Sequence, residues 1–391
     1  MNSYMSNLTD SLPYYPRPEL LGTVLRLMLA GAHVTLFAPR RQGKTQFVKK
    51  ELLPAGLEQG WFVGLVDLWR DRENAAEALV VGLEALAASK RQGGKLTAPL
   101  TLAKVKASLK IGGVELGGEW EVDDLPAADA RASLVDRLAA ALNGVASKGS
   151  HALIALDEFQ ALAGPENANF IAAFRTALQG LEGRISIIYT GSSRAKLNEM
   201  FRVAGAALFE SAHPVKLPQL DRDFVESRAQ YLSDFAGMEV DVDEFERLFI
   251  ALDHTPLFLN EIVLQMVALQ SPDIPEAVRW WIQDKRENTY DALLAGLQPV
   301  DTALVMRLSF PGVRSVYESA SRDWIAEFLS DTDIKPDNSV LQASVRRLVR
   351  KEIIEPTGAR GEYELVDKAF MLFLRQLNGL DLLESMRPRR A

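Results

Sequence analysis

A lysine and a threonine that follow a short apolar run have the side chains that bind nucleotide phosphates. Residues 33–37 read HVTLF, and the segment after them, APRRQGKT, ends in Gly43, Lys44 and Thr45. In the pattern G-x-x-x-x-G-K-[ST], backbone N–H groups surround the phosphates, the lysine reaches the β- and γ-phosphates, and the hydroxyl binds Mg²⁺. We therefore predict a loop that binds ATP and Mg²⁺, formed by Ala38, Pro39, Arg40, Arg41, Gln42, Gly43, Lys44, Thr45 and Gln46.

The loop departs from the pattern at its first position, where Ala38 stands in place of glycine. Alanine is harmless there if its φ is negative, whereas a positive φ would add strain on the order of 1 kcal/mol. On the GKT sequence alone, a chance match after a strand remains an alternative.

Two carboxylates follow a second apolar run. Residues 153–156 read LIAL and precede Asp157 and Glu158. In P-loop ATPases an aspartate at the end of a neighbouring strand holds the Mg²⁺ shell, so Asp157 joins Thr45 as a predicted metal-site residue. We predict that Glu158 orients or deprotonates the attacking water and is catalytic together with Lys44, which favours hydrolysis. Two acidic residues after a strand are also typical of a helix N-terminus. The GKT sequence about 110 residues upstream favours the nucleotide site over this alternative.

Apolar runs alternate with helical patterns over the first 220 residues. Strands are predicted in 33–37, 61–68, HALIALDEF and RISIIYTGSS, with helices between them. Residues 90–128, rich in glycine and lysine, indicate an inserted β-hairpin, which is either a partner-binding arm or a solvated decoration. The sequence therefore predicts an α/β fold whose mostly parallel sheet has helices on both faces.

Hydroxyl side chains end the fourth predicted strand. Thr190, Ser192 and Ser193 lie where the ligands of open α/β sheets bind. We predict that Thr190 or Ser192 contacts the γ-phosphate, and the alternative is that these hydroxyls cap the next helix. Arg194 and Arg202 follow, and each is either an arginine finger acting in trans or a solvated side chain.

Composition excludes several kinds of site. The 391 residues contain no cysteine, which excludes disulfides and thiol nucleophiles and fits a reducing cytosol. Four histidines without metal-ligand spacing make a histidine-rich metal site unexpected. The net charge of −8 provides no global attraction to nucleic acid. The N-terminus has no signal-peptide pattern, and charged residues and a proline interrupt the apolar stretch 248–270, so we expect a cytoplasmic protein without a membrane span.

The motifs together resemble one family. RRQGKT, the strand ending in DEFQ, the TGSSR segment, HTPLFLNEI and the C-terminal block look like the archaeal-type ATPases of the AAA+/STAND group of P-loop proteins. Their layout is similar to that of the archaeal and eukaryotic replication-origin initiators. The resemblance extends from about Pro16 to Leu377. It implies ATP binding by a core (1–220) with a helical lid (221–298), a winged-helix domain (299–391) and self-association.

The resemblance also implies roles for two residues outside the loop. Arg17, in YYPRPEL (14–20), borders the adenine base, and Pro256, in HTP, matches the G-x-P motif of the lid, which approaches the nucleotide. His254 stands where that motif has glycine. LFESA (208–212) stands where many relatives have an L-Y-G-R-like segment, so an arginine expected there is missing.

The C-terminal block reads as three helices, two short strands around a turn, and a last helix, which is the winged-helix plan. In residues 338–352 the apolar side chains Leu341, Val345 and Leu348 form an inward face. The candidate DNA contacts on the other side and in the wing are Arg346, Arg347, Arg350, Lys351 and Arg360. Nearby acidic residues lower the positive electrostatic potential that would attract DNA, and basic residues at a helix end also complement the helix dipole. DNA and a protein therefore both remain candidate partners.

Three functions fit these observations. The first is an ATP-hydrolysing switch that acts on DNA or a DNA-linked partner. The second is a STAND-type signalling switch, in which nucleotide exchange controls a protein partner. The third is a nucleotide-bound scaffold that does not hydrolyse ATP, against which Glu158 argues.

Overall fold

The computed structural model of this protein describes four stretches of the chain, which are residues 12–71, 73–89, 133–357 and 359–379. The hairpin predicted within residues 90–128 lies outside them. Contacts divide the chain into two compact units, which are described separately. The α/β unit comprises Pro16–Ala38 and Lys44–Leu217, and the helical unit comprises Met1–Tyr15, Pro39–Gly43 and Pro218–Ala391.

A five-stranded parallel sheet forms the centre of the α/β unit. Its strands are β1 (Val34–Phe37), β2 (Phe62–Asp67), β3 (Ala152–Asp157), β4 (Ile185–Gly191) and β5 (His213–Lys216). Their order across the sheet is β2-β3-β4-β1-β5, so β4 lies between β1 and β3. The four predicted strands are confirmed. The edge strand β5 was not predicted, because HPVK is short, contains proline and has mostly exposed side chains.

Helices cover both faces of this sheet. Each strand contributes side chains to both faces, because successive side chains point in opposite directions. Along β3, Leu153 and Ala155 join one buried cluster, whereas Ile154 and Leu156 join another. Both faces are therefore apolar, as in other parallel sheets. The helices of the unit are α1 (Pro18–Leu29), α2 (Lys44–Phe47), α3 (Leu53–Glu58), α4 (Ala75–Ala88), α5 (Leu134–Ala146), α6 (Ala168–Gln179) and α7 (Arg194–Arg202). A π-helical turn, Val48–Leu52, joins α2 to α3.

The helical unit contains the elements predicted after residue 221. Its helices are α8 (Arg222–Ala236), α9 (Val242–Ala251), α10 (Pro256–Leu269), α11 (Ile274–Lys285), α12 (Asp291–Ala295), α13 (Pro299–Leu308), α14 (Ser319–Phe328), α15 (Asn338–Arg350) and α16 (Lys368–Leu377). Between α15 and α16, β6 (Ile354–Pro356) pairs antiparallel with β7 (Tyr363–Leu365). None of the helices in the described ranges is long and apolar enough to cross a membrane.

One hydrophobic cluster extends through this unit, from Phe224 in α8 to Leu374 in α16. Residues of the predicted lid and of the predicted C-terminal block belong to the same cluster. The core therefore has no break at residue 298, and the division into a lid and a winged-helix domain stays a prediction.

A buried carboxylate fixes α13 against α15. Asp301, 1 % exposed, accepts hydrogen bonds from Nη2 and Nε of Arg347 at 2.7 and 3.2 Å. The hydroxyl of Ser344 donates to the same carboxylate. Arg347 was predicted as a candidate DNA contact, and its guanidinium forms this bidentate ion pair.

Removing this carboxylate is expected to destabilise the helical unit. We predict that Asp301→Ala lowers its free energy of unfolding by about 2–4 kcal/mol, because Arg347 and Ser344 lose a buried partner. Urea unfolding followed by circular dichroism measures the change. The control is Asp331→Ala, which removes an exposed carboxylate and should change stability by less than about 0.5 kcal/mol. Equal effects of the two substitutions would contradict the prediction.

Candidate nucleotide-binding site

The backbone of the predicted phosphate loop explains which of its positions require glycine. Gly43 has a φ of 89°, in the left-handed region that glycine enters without a steric penalty. Ala38 does not have a positive φ, and it is buried directly after β1. Alanine at the first position therefore causes no backbone strain, and the departure from the motif leaves the loop conformation intact.

Lys44, the first residue of α2, lies inside this loop. Its side chain is buried, and Nζ donates a hydrogen bond to the carbonyl oxygen of Ala38 at 2.5 Å. A buried ammonium group needs hydrogen-bond acceptors, and an anionic phosphate is a stronger acceptor than a carbonyl. The loop therefore holds a positive charge where the motif places the β- and γ-phosphates.

The carboxylate of Asp157 joins three elements of the α/β unit. Asp157 ends β3, and its Oδ2 accepts a hydrogen bond from the hydroxyl of Thr45 at 2.6 Å. Its Oδ1 accepts a hydrogen bond from the fully buried hydroxyl of Thr190 in β4. A threonine hydroxyl and a carboxylate are the hard oxygen donors that Mg²⁺ prefers, and such sites complete the shell with water and phosphate oxygens. Thr45 and Asp157 thus fit the predicted metal site, and Thr190 contacts Asp157.

Glu158 has an unusual backbone and a well-defined side chain. Its φ is 56°, a left-handed conformation that is uncommon for residues other than glycine. The hydroxyl of Ser192 donates to Oε2 of Glu158 at 2.8 Å, and Nε2 of Gln160 donates to the same oxygen. Ser192 was predicted at the site, whereas Gln160 was not assigned a role. The signal for Gln160 was present in the DEFQ sequence, but its contact with Ser192 required the sheet.

Arg40 and Arg41 have carboxylate partners within the helical unit. Nη2 of Arg40 lies 3.0 Å from Oε2 of Glu352, and Arg41 pairs with Asp367. The guanidinium of Arg41 also lies over the ring of Phe258, 5.2 Å from its centroid. Arg41 has a φ of 68°, so this position of the loop is strained.

The residues assigned through the family resemblance have ordered surroundings. The backbone N–H of Arg17, directly before α1, donates to Oε1 of Glu51 at 2.8 Å. Pro256 is the first residue of α10, where the fixed φ of proline suits a helix. His254 has a φ of 48°, which explains why the G-x-P motif uses glycine there. The ring Nδ1 of His254 lies 3.2 Å from the carbonyl oxygen of Leu220.

The remaining predicted cations are mostly at the surface. Arg194 is the first residue of α7 and Arg202 its last, and the side chain of Arg202 is exposed. The arginine-finger role stays a prediction for both residues. Four candidate DNA contacts have exposed side chains, and they are Arg346, Arg350, Lys351 and Arg360.

The sheet and this site define a P-loop nucleotide-binding fold. The phosphate loop follows β1, the paired carboxylates follow β3, and both lie at the carboxyl ends of parallel strands, where α/β sheets bind ligands. Similar solved structures share this fold. The Walker-type ATPase PABY2304 of Pyrococcus abyssi has a TM-score of 0.61 and 20 % identity over 94 % of this chain and 99 % of that one.

A second similar structure is the ORC2 protein of Aeropyrum pernix, in its ADPNP–ADP complexes. Its TM-score is 0.54, with 14 % identity over 97 % of each chain. No protein-family model matches the sequence, and no curated protein matches it either. The α/β P-loop fold expected from the resemblance to archaeal-type ATPases and origin initiators is therefore confirmed, whereas the winged-helix domain stays a prediction. At these identities the similarity concerns the fold.

The loop geometry predicts opposite effects of two substitutions. Ala38→Gly should change the affinity for ATP by less than about threefold, because Ala38 has no positive φ to relieve. Gly43→Ala should weaken binding by about tenfold or more, because alanine is strained at a φ of 89°. Titration with a fluorescent ATP analogue and Mg²⁺ measures both affinities. A tenfold tighter Ala38→Gly variant would show that alanine impairs the loop.

Proposed function

We propose that the protein binds ATP with Mg²⁺ and hydrolyses it to ADP and phosphate. The hydrogen bond between Thr45 and Asp157 is the observation that supports this function best. These residues are 112 positions apart in the sequence, and together they were predicted to form the Mg²⁺ site. A chance GKT sequence would not be expected to form a hydrogen bond with a carboxylate at the end of another strand.

Each residue has a distinct role in the proposed reaction. Lys44 exchanges the carbonyl of Ala38 for the β- and γ-phosphates and balances their charge. Glu158 receives the proton of a water molecule whose oxygen bonds to the γ-phosphorus while the bond to the β–γ bridging oxygen breaks. Thr45 and Asp157 would hold Mg²⁺, which would supply further charge neutralisation. The similar fold of an archaeal Walker-type ATPase agrees with this proposal.

Replacing the proposed base should separate binding from hydrolysis. We predict that Glu158→Gln binds ATP with an affinity within about threefold of wild type but releases phosphate at least about 100-fold more slowly. Phosphate release and binding of a fluorescent ATP analogue provide the two measurements. Turnover at the wild-type rate in Glu158→Gln would remove Glu158 from the reaction. Binding without turnover in both proteins would instead support the nucleotide-bound scaffold.

The C-terminal block provides a candidate surface for duplex DNA. Arg346 and Arg350 are four residues apart on α15, so they share one helix face, and both are exposed. Arg360 is exposed in the turn between β6 and β7. A basic helix followed by a hairpin is the arrangement of winged-helix proteins, in which the helix enters the major groove. We propose ATP-linked action on DNA on this basis, with a protein partner of a STAND-type switch as the alternative.

Two exposed arginines test the choice between DNA and protein. If α15 contacts phosphates, the double variant Arg346→Ala/Arg350→Ala should bind duplex DNA about tenfold more weakly. The slope of its log affinity against log salt concentration should decrease by the amount expected for about two lost phosphate contacts. Fluorescence anisotropy of a labelled duplex at several salt concentrations measures both. Arg279→Ala removes an exposed arginine of α11 and is the control. Wild-type protein that binds no DNA at about 50 mM salt and shows no DNA-stimulated turnover would favour the protein partner.

A further inference from the structure

Three polar side chains at the ends of β3 and β4 form a closed hydrogen-bonded group. The hydroxyl of Ser192 donates to Oε2 of Glu158 at 2.8 Å, and the amide Nε2 of Gln160 donates to the same oxygen. Nε2 of Gln160 also donates to the hydroxyl oxygen of Ser192 at 3.2 Å. Gln160 is 5 % exposed and Ser192 is 6 % exposed, so little water competes for these contacts.

The amide of Gln160 has an orientation that Glu158 determines. Its Oε1 is buried and has no hydrogen-bond partner among the described residues. Turning the amide over would place this oxygen against the carboxylate of Glu158, where two acceptors repel each other. An unpaired buried acceptor is unfavourable for folding, so stability alone does not favour glutamine at this position. What glutamine contributes at this position is the hydrogen bond from its NH₂ group to Glu158.

The surrounding backbone keeps this group in place. Gly191 ends β4, and a Cβ atom there would lie 2.2 Å from Oε1 of Gln160, so a larger residue would require the amide to shift. Phe159 lies between Glu158 and Gln160 and is fully buried, with its ring centroid 4.7 Å from that of Tyr189. The buried ring of Phe159 therefore restricts movement of Glu158 relative to Gln160.

We propose that Gln160 and Ser192 are positioning residues that hold Glu158 by Oε2 and leave Oε1 for the attacking water. Among the described residues, Oε1 of Glu158 accepts no hydrogen bond. In the hydrolysis proposed above, Oε1 takes the proton of the water as its oxygen bonds to the γ-phosphorus. A carboxylate already fixed by its other oxygen loses less freedom on reaching this geometry, which accelerates the step. This inference rests on the proposed ATP hydrolysis.

The substitution Gln160→Leu removes the donor and the unpaired acceptor together and keeps a side chain of similar size. We expect kcat for phosphate release to fall by about tenfold or more, while KM for ATP changes by less than about threefold. The melting temperature should equal or exceed that of the wild type, because a buried unpaired oxygen is removed. A purely structural role for Gln160 would instead lower the melting temperature and leave kcat unchanged.

Ser192 provides a second variant pair. Ser192→Ala should also lower kcat without raising KM, and Ser192→Thr, which keeps the hydroxyl, should restore most of it. The amide control is Gln179→Leu, at the exposed end of α6, which should have the wild-type kcat.

Wild-type turnover and Glu158→Gln are measured in the same series, so that the two proposals fail in different ways. If the wild type does not hydrolyse ATP, the proposed function fails and this inference fails with it. If the wild type turns over and Glu158→Gln does not, a wild-type kcat in Gln160→Leu overturns only the inference. A loss that appears solely as a higher KM for ATP would overturn it as well.

Discussion

The carboxylate of Asp157 is the constraint on which the candidate site depends. It accepts hydrogen bonds from Thr45 at the start of α2 and from Thr190 in β4, so it connects the residues after β1 with two neighbouring strands. The strand order β2-β3-β4-β1-β5 makes this possible, because β4 lies between the other two. A buried carboxylate needs such donors, and the same oxygens are suited to Mg²⁺. One group thus serves the packing of the sheet and the proposed chemistry.

Positive φ values occur in the segments that follow β1 and β3. Glu158 and Arg41 have positive φ values, and Gly43 occupies a conformation that favours glycine. Such conformations persist where the surrounding structure fixes them, and they are common at functional sites. Ala38 shows the opposite case, because its negative φ makes the missing glycine of the motif unimportant. The motif position that looked defective in the sequence is therefore sterically ordinary. His254 is the opposite case, because its φ of 48° explains why the other motif has glycine.

Neighbouring cations in the sequence have different surroundings in the fold. Arg346 and Arg350 are exposed, whereas Arg347 is held by Asp301 and stabilises the contact between α13 and α15. The helical pattern of α15 places Arg347 near the edge of the buried face, where a single buried carboxylate from another helix decides its partner. Charge at a helix position therefore did not reveal which arginines are available to a ligand.

The sequence by itself determined the parallel α/β sheet and predicted the phosphate loop and the carboxylates Asp157 and Glu158, because apolar periodicity and motif spacing are local properties. It also predicted Thr190 and Ser192 at the site, since both end a recognisable strand. Only the tertiary structure decided their partners. The strand β5, the hydrogen bonds of Gln160 and the ion pair of Arg347 depend on which strands and helices become neighbours, and that choice is made by contacts between residues far apart in the chain. Local pattern encodes the elements, whereas burial and hydrogen-bond partners follow from their packing.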